Sequence, residues 1–127
     1  MNRFWPFILL LLLSAAFLTL ACGSSSSNRL LQSITISPTV SGQLIQFVAT
    51  GTFSTSPTTV SPLPVSWSYA PPPSEYTLTT QPFVFNCAQP ESPGPIVACA
   101  PTDPSAPSSG SLSNAKMTCS SGPIPCP

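Results

Sequence analysis

The spacing of apolar residues changes once along the chain. Residues 4–21 form an apolar stretch without a charged side chain. From Leu30 onward the apolar residues recur at every second position, the spacing of strands with one buried face. Ile34 and Ile36 share one face, Ser33, Thr35 and Ser37 take the other, and Pro38 is expected to end the run. The next run is the longest. Ile45, Phe47, Ala49, Gly51 and Phe53 point one way, while Gln46, Val48, Thr50 and Thr52 point the other. Threonine-rich outer faces suit strands because β-branched side chains pack well on a pleated surface. Residues 54–64 hold three prolines and read as loop or edge, since proline cannot donate to a ladder. Val65, Trp67 and Tyr69 then alternate with Ser66 and Ser68, and Pro71-Pro72-Pro73 reads as a rigid loop. Shorter runs follow at 76–80, 83–87, 96–100 and 115–120, with residues 101–114 expected as a long exposed loop. About seven short strands punctuated by turn signals describe an all-β, antiparallel sandwich. Its core is expected to centre on Trp67, packed between the sheets against Phe47 and Ile36.

Composition narrows the function classes. The chain has 127 residues, 18 of them proline, and only three basic and three acidic side chains. Binding to nucleic acid needs clustered cations to displace counterions from phosphates, so nucleic acid is excluded as a partner. High proline with so little charge fits strands joined by stiff loops better than a charge-rich disordered chain.

The first apolar stretch has the layout of a secretory signal. Met1-Asn2-Arg3 supplies a positive start, residues 7–13 an apolar centre, and Ala21 a small residue before a cut. Leu18-Thr19-Leu20-Ala21-Cys22 at its end resembles the lipobox of bacterial lipoproteins. In that family the cysteine thiol receives a diacylglycerol and becomes the new N-terminus. The resemblance implies a helical signal peptide over 1–21, lipidation at Cys22, and a tether over 22–29 containing Ser24, Ser25, Ser26 and Ser27. The domain proper then covers 30–127. Two or three acyl chains on one cysteine anchor a protein far more firmly than a single chain. Gly23 stands where an aspartate would retain such a protein at an inner membrane, so the resemblance points to the bacterial cell envelope, and to the outer membrane where there are two.

The strands carry a second resemblance. Leu31-Gln32-Ser33-Ile34-Thr35-Ile36-Ser37-Pro38, then Gln46-Phe47-Val48-Ala49-Thr50-Gly51-Thr52-Phe53, then Val65-Ser66-Trp67 is similar to the bacterial Ig-like domain, group 2. That family opens on "I-x-V-x-P", continues with "Q-F-x-A-T-G-T-Y/F" and carries "V-x-W" near its middle. The match covers residues 30–69, and beyond Tyr69 it fades to Gly94-Pro95-Ile96-Val97 and Asn114-Ala115-Lys116-Met117-Thr118. It implies an Ig-like sandwich of about seven strands, used for adhesion or as a spacer on cell surfaces. It supplies no catalytic residues.

With Cys22 assigned to lipid, Cys87, Cys99, Cys119 and Cys126 remain, an even number that reads as two disulfides in an exported chain. Local closure favours Cys87–Cys99 with Cys119–Cys126. A nested pairing, Cys87–Cys126 with Cys99–Cys119, would tie the C-terminus to the sandwich and stays open beside it. The spacings are not the close pairs of structural zinc sites. The chain has no histidine, so no Ser-His or Cys-His pair can form. Glu75, Glu91 and Asp103 sit in Pro/Ser-rich stretches far apart in sequence. No enzyme activity, cofactor or metal is expected. The expected role is a structural or adhesive module held to the membrane by its lipid, with an unknown protein or glycan partner. Two alternatives are an accessory subunit docking through a sheet edge and a carbohydrate-binding module. Tyr76 and Phe83 are the aromatics left to serve the latter.

Overall fold

The computed structural model describes residues 28–89 and 94–127. The signal segment, Cys22, most of the tether and Glu91 lie outside the described residues. Within them the fold is all-β and every strand pair is antiparallel. The strands are β1 (Leu31–Ser41), β2 (Leu44–Phe53), β3 (Thr59–Val60), β4 (Ser66–Tyr69), β5 (Glu75–Thr77), β6 (Phe83–Asn86), β7 (Ile96–Pro101), β8 (Ser109–Ser111) and β9 (Met117–Gly122).

β2 is the spine of the first sheet. It pairs with β1 along one edge, while β6 and β3 share its other edge, β6 beside its first half and β3 beside its end. Its alternation matches the expected one: Ile45, Phe47, Ala49, Gly51 and Phe53 are buried, and Gln46 and Thr52 are exposed. β1 and β2 join through Gly42 and Gln43, with Gly42 at φ +62° and no other residue type at positive φ. Positive φ at the first turn position alone defines a type II′ hairpin, whose twist matches that of the strands. β1 does not stop at Pro38. It runs on to Ser41 with Pro38 opposite Phe47, because β1 is an edge strand and an edge tolerates a residue without an N–H.

The second sheet has the order β4–β7–β9. β7 is buried along its whole length, as expected of its continuous apolar sequence Ile96-Val97-Ala98-Cys99-Ala100. A separate ribbon of β5 and β8 makes up the rest. The strands therefore number nine among the described residues, against about seven expected. The additional two are β3, an edge strand in the stretch read as loop or edge, and β8, in the stretch read as a long loop. Each is only two or three residues long, too short to leave an alternating pattern.

The sheets face each other through two apolar clusters. One unites Leu31, Ile34, Ala49 and Phe53 of the first sheet with Val65, Ala98 and Ala100 of the second, and Leu63 joins them. The other unites Ile45, Phe47 and Phe85 with Ile96. Leu63 of the first cluster packs directly over Gly51. A Cβ there would lie 2.9 Å from both methyls of Leu63, so any larger residue at this inward position would require the Leu63 side chain to shift.

The expected core residues are brought together, with one correction. Phe47 is 1% exposed, whereas Ile36 and Trp67 are half-buried and touch both clusters. Trp67 closes the core from its margin, and the centre belongs to Phe47, Ile45, Ile96 and Val65. The reason lies in β4, which is the edge strand of its sheet, so its large side chain meets neighbours on one side only.

The favoured cysteine pairing is also corrected. The bridges are nested, Cys87–Cys126 and Cys99–Cys119. Cys99 and Cys119 are direct cross-strand partners on β7 and β9 with Cα atoms 4.1 Å apart, near the spacing of a non-hydrogen-bonded pair. Cys87 follows β6 in the first sheet and Cys126 follows β9 in the second, so their bridge fastens the two sheets together. Local closure failed as a guide because β7 and β9 place distant cysteines side by side while β6 and β7 belong to different sheets.

Removing a fully buried Phe side chain costs about 3–5 kcal/mol, and a half-buried aromatic has less buried area to lose, about 2 kcal/mol. Urea denaturation should therefore show Phe47→Ala to be more damaging than Trp67→Ala. Equal losses, or the reverse order, would contradict this placement of the core.

Candidate functional site

The groove beside Trp67 follows from how β4 and β5 part company. Val65, just ahead of β4, and Thr79 exchange both main-chain hydrogen bonds, at 3.0 and 2.9 Å. One step along, the pairing breaks. The Thr77 N–H donates to Ser66 Oγ at 3.4 Å, and β5 swings away to pair with β8. Because the main-chain groups of Val65 face Thr79, those of Trp67, two residues on, face the same side. The divergence opens a groove of about 710 Å³, within the ~300–1,000 Å³ of small-molecule sites.

The lining has two characters. The ribbon contributes Glu75, Thr77, Ser109 and Ser111, and Glu75↔Ser111 and Thr77↔Ser109 are register partners, so all four share one face. β4 and the segment leading into β6 contribute Trp67, Pro82 and Phe83, with Ser66, Thr79 and Gln81 among them. The Trp67 and Phe83 rings stand 6.0 Å apart, centroid to centroid, at 38°. Phe83 in turn packs edge-on against Tyr69 at 5.7 Å and tilted against Phe47 at 6.4 Å. The aromatic side of the groove is thus braced by the core. Trp67 Nε1 is itself buried with no hydrogen-bond partner.

Other features take lesser parts. Tyr76 borders the groove but is 3% exposed and so is not a surface aromatic. It sits on the ribbon face opposite Glu75 and Thr77, and its hydroxyl donates to the Pro107 carbonyl at 3.0 Å, pinning the 102–108 loop. Phe83 is half-buried and does line the groove. Asp103 does not line Glu75's groove. The Ser105 hydroxyl at 2.7 Å and the Ser105 N–H at 2.9 Å donate to its carboxylate and hold its pKa below the usual value. Across the ribbon, a second cleft of about 490 Å³ contains Asp103 and Lys116. Among the described residues no three His, Cys, Asp or Glu side chains gather as a metal site would require, and no helix is long and apolar enough to cross a membrane.

Sequence reasoning singled out Glu75, Trp67 and Phe83 but gave no reason to join them, and it missed Thr77, Ser109 and Ser111 as one face. The missing signal was β8, without which the ribbon cannot be drawn. The chain matches no protein-family model, no curated protein and no solved structure, so the groove must be read from its own residues.

Replacing Tyr76 by Phe removes one hydrogen bond and leaves the Pro107 carbonyl to solvent. Tyr76→Phe should lower stability by about 0.5–1.5 kcal/mol in urea denaturation, with the near-ultraviolet spectrum retained. An unchanged midpoint would mean that the hydroxyl does not hold the loop.

Proposed function

We propose that this chain is a bacterial envelope lipoprotein, exported and acylated at Cys22, which displays an Ig-like domain as a structural or adhesive module without catalysis. The observation that carries the reading is the position of Cys22. It stands between an apolar segment with a positive start and a domain in which Arg29 is already held in place by its neighbours. The Arg29 guanidinium lies 3.8 Å over the Phe53 ring and donates to the Pro57 carbonyl at 2.6 Å, a cation–π contact reinforced by a hydrogen bond. Six residues separate Cys22 from Arg29, a reach of at most about 25 Å when fully extended. An acylated Cys22 therefore keeps the base of the domain close to the lipid surface, with the Gly42 hairpin at the opposite end of β1.

Strand order supports the Ig-like part. The neighbours β1–β2–β6 and β4–β7–β9 follow the A–B–E and C–F–G neighbours of immunoglobulin sandwiches. The chain departs from that pattern in its β5–β8 ribbon and in its disulfides, since Cys99 pairs within its own sheet where antibody domains bridge from sheet to sheet.

The decisive experiment is the intact mass of the protein extracted with detergent from bacterial membranes. The reading predicts a chain that begins at Cys22, carries two or three acyl chains, and has four thiols alkylated only after reduction. A full-length chain, or an unacylated one in the medium, would refute the anchor.

A further inference from the structure

The groove between β4 and the β5–β8 ribbon has the chemistry of a sugar site. A sugar ring presents an apolar C–H face and a rim of hydroxyls. The π-face of an aromatic carries partial negative charge, which attracts the slightly positive C–H bonds, and flat rings exclude water without demanding a hydrogen bond. Here Trp67, Phe83 and Pro82 supply that apolar side, and the Glu75, Thr77, Ser109 and Ser111 face supplies donors and acceptors. The side chains of Glu75, Thr77, Gln81 and Ser109 make no hydrogen bond to another described residue, although the main chain of Thr77 is engaged with Ser66. They are available to a ligand at no cost in existing contacts.

Charge sets the class further. Among the described residues Glu75 is the one charged side chain lining the groove, and Lys116 stands in the other cleft. With no cation among the described lining residues to meet a carboxylate, sulfate or phosphate, an anionic glycan would meet repulsion from Glu75. We propose that the groove binds a short neutral oligosaccharide, with Trp67 and Phe83 as the platform and Glu75, Thr77 and Gln81 as the hydrogen-bonding groups. The inference deepens the adhesive reading and rests on it. The two fail separately. A chain acylated at Cys22 that ignores sugars loses only the groove assignment, and an unacylated chain that binds them loses only the anchor.

Trp67 makes the test direct, because the only other tryptophan is Trp5. The full chain in detergent, carrying Trp5→Phe, has Trp67 as its sole indole. It is titrated with maltohexaose, cellohexaose, laminarihexaose and chitohexaose while tryptophan emission is followed. At least one should give a saturable change, and Glu75→Ala, Thr77→Ala and Gln81→Ala should each weaken it about tenfold, as loss of a hydrogen bond to a ligand hydroxyl does. All three positions are exposed, so their melting temperatures should hold, and Lys116→Ala should bind as the parent does. No response to any of the four sugars would overturn the proposal. Binding unaffected by the groove variants would overturn it too. So would a response confined to extended peptides, which would assign the free main-chain edge of Trp67 to strand addition.

Discussion

The structure depends on the apolar contact between β2 and β7, the central strands of two sheets. Phe47 and Ile45 share one cluster with Ile96, and Ala49 and Phe53 share the other with Ala98 and Ala100. The short β7 residues let the sheets approach, and the close seat of Leu63 over Gly51 fills the space that remains. Burial of that interior is the main favourable term in a domain with few charges. Surface ion pairs contribute little in any protein, and this one has scarcely any charged side chains to form them. The bridge Cys87–Cys126 then fastens the second sheet's C-terminal segment to the first, beside the cluster on which Cys87 and Ile124 pack.

From this arrangement the groove follows almost by subtraction. β4 is an edge strand, and its sheet ends there because β5 pairs with β8 in place of β4. Trp67 is left half-covered, held by the core on one side and open to the groove on the other. An edge strand exposes main-chain groups that invite partners, and proteins usually cover or interrupt such edges. This chain covers the Val65 end with Thr79 and leaves the Trp67 end open. An aromatic placed there is costly to leave exposed, which is why a ligand role is worth testing at this point of the fold.

Much of this was legible in the chain before any coordinates. β2 could be read residue by residue from Ile45 to Phe53, since nine alternating positions define which face is buried. The strand at Trp67 and the apolar run of β7 were equally plain. Three things were not. Pro38 looked like a stop, yet whether a proline breaks a strand depends on whether that strand is at an edge, which is a tertiary fact. β8 left no pattern, because Ser109-Gly110-Ser111 has no apolar residue to alternate, and so the ribbon and its polar face were invisible. The cysteine pairing was set by which strands become neighbours, and sequence separation says nothing about that. Tyr76 was misjudged for a related reason: its burial depends on the loop that β8 brings over it.

The central claim is that β2 and β7 form one cooperative interior, and native-state hydrogen exchange tests it most directly. The amides of both strands should be the slowest to exchange and should open with the same free energy, that of global unfolding. The β5–β8 ribbon should exchange through a smaller, local opening. If the β1–β2 hairpin retained its protection under conditions in which β7 had lost its own, the sheets would be folding as separate units, and the shared interior described here would be wrong.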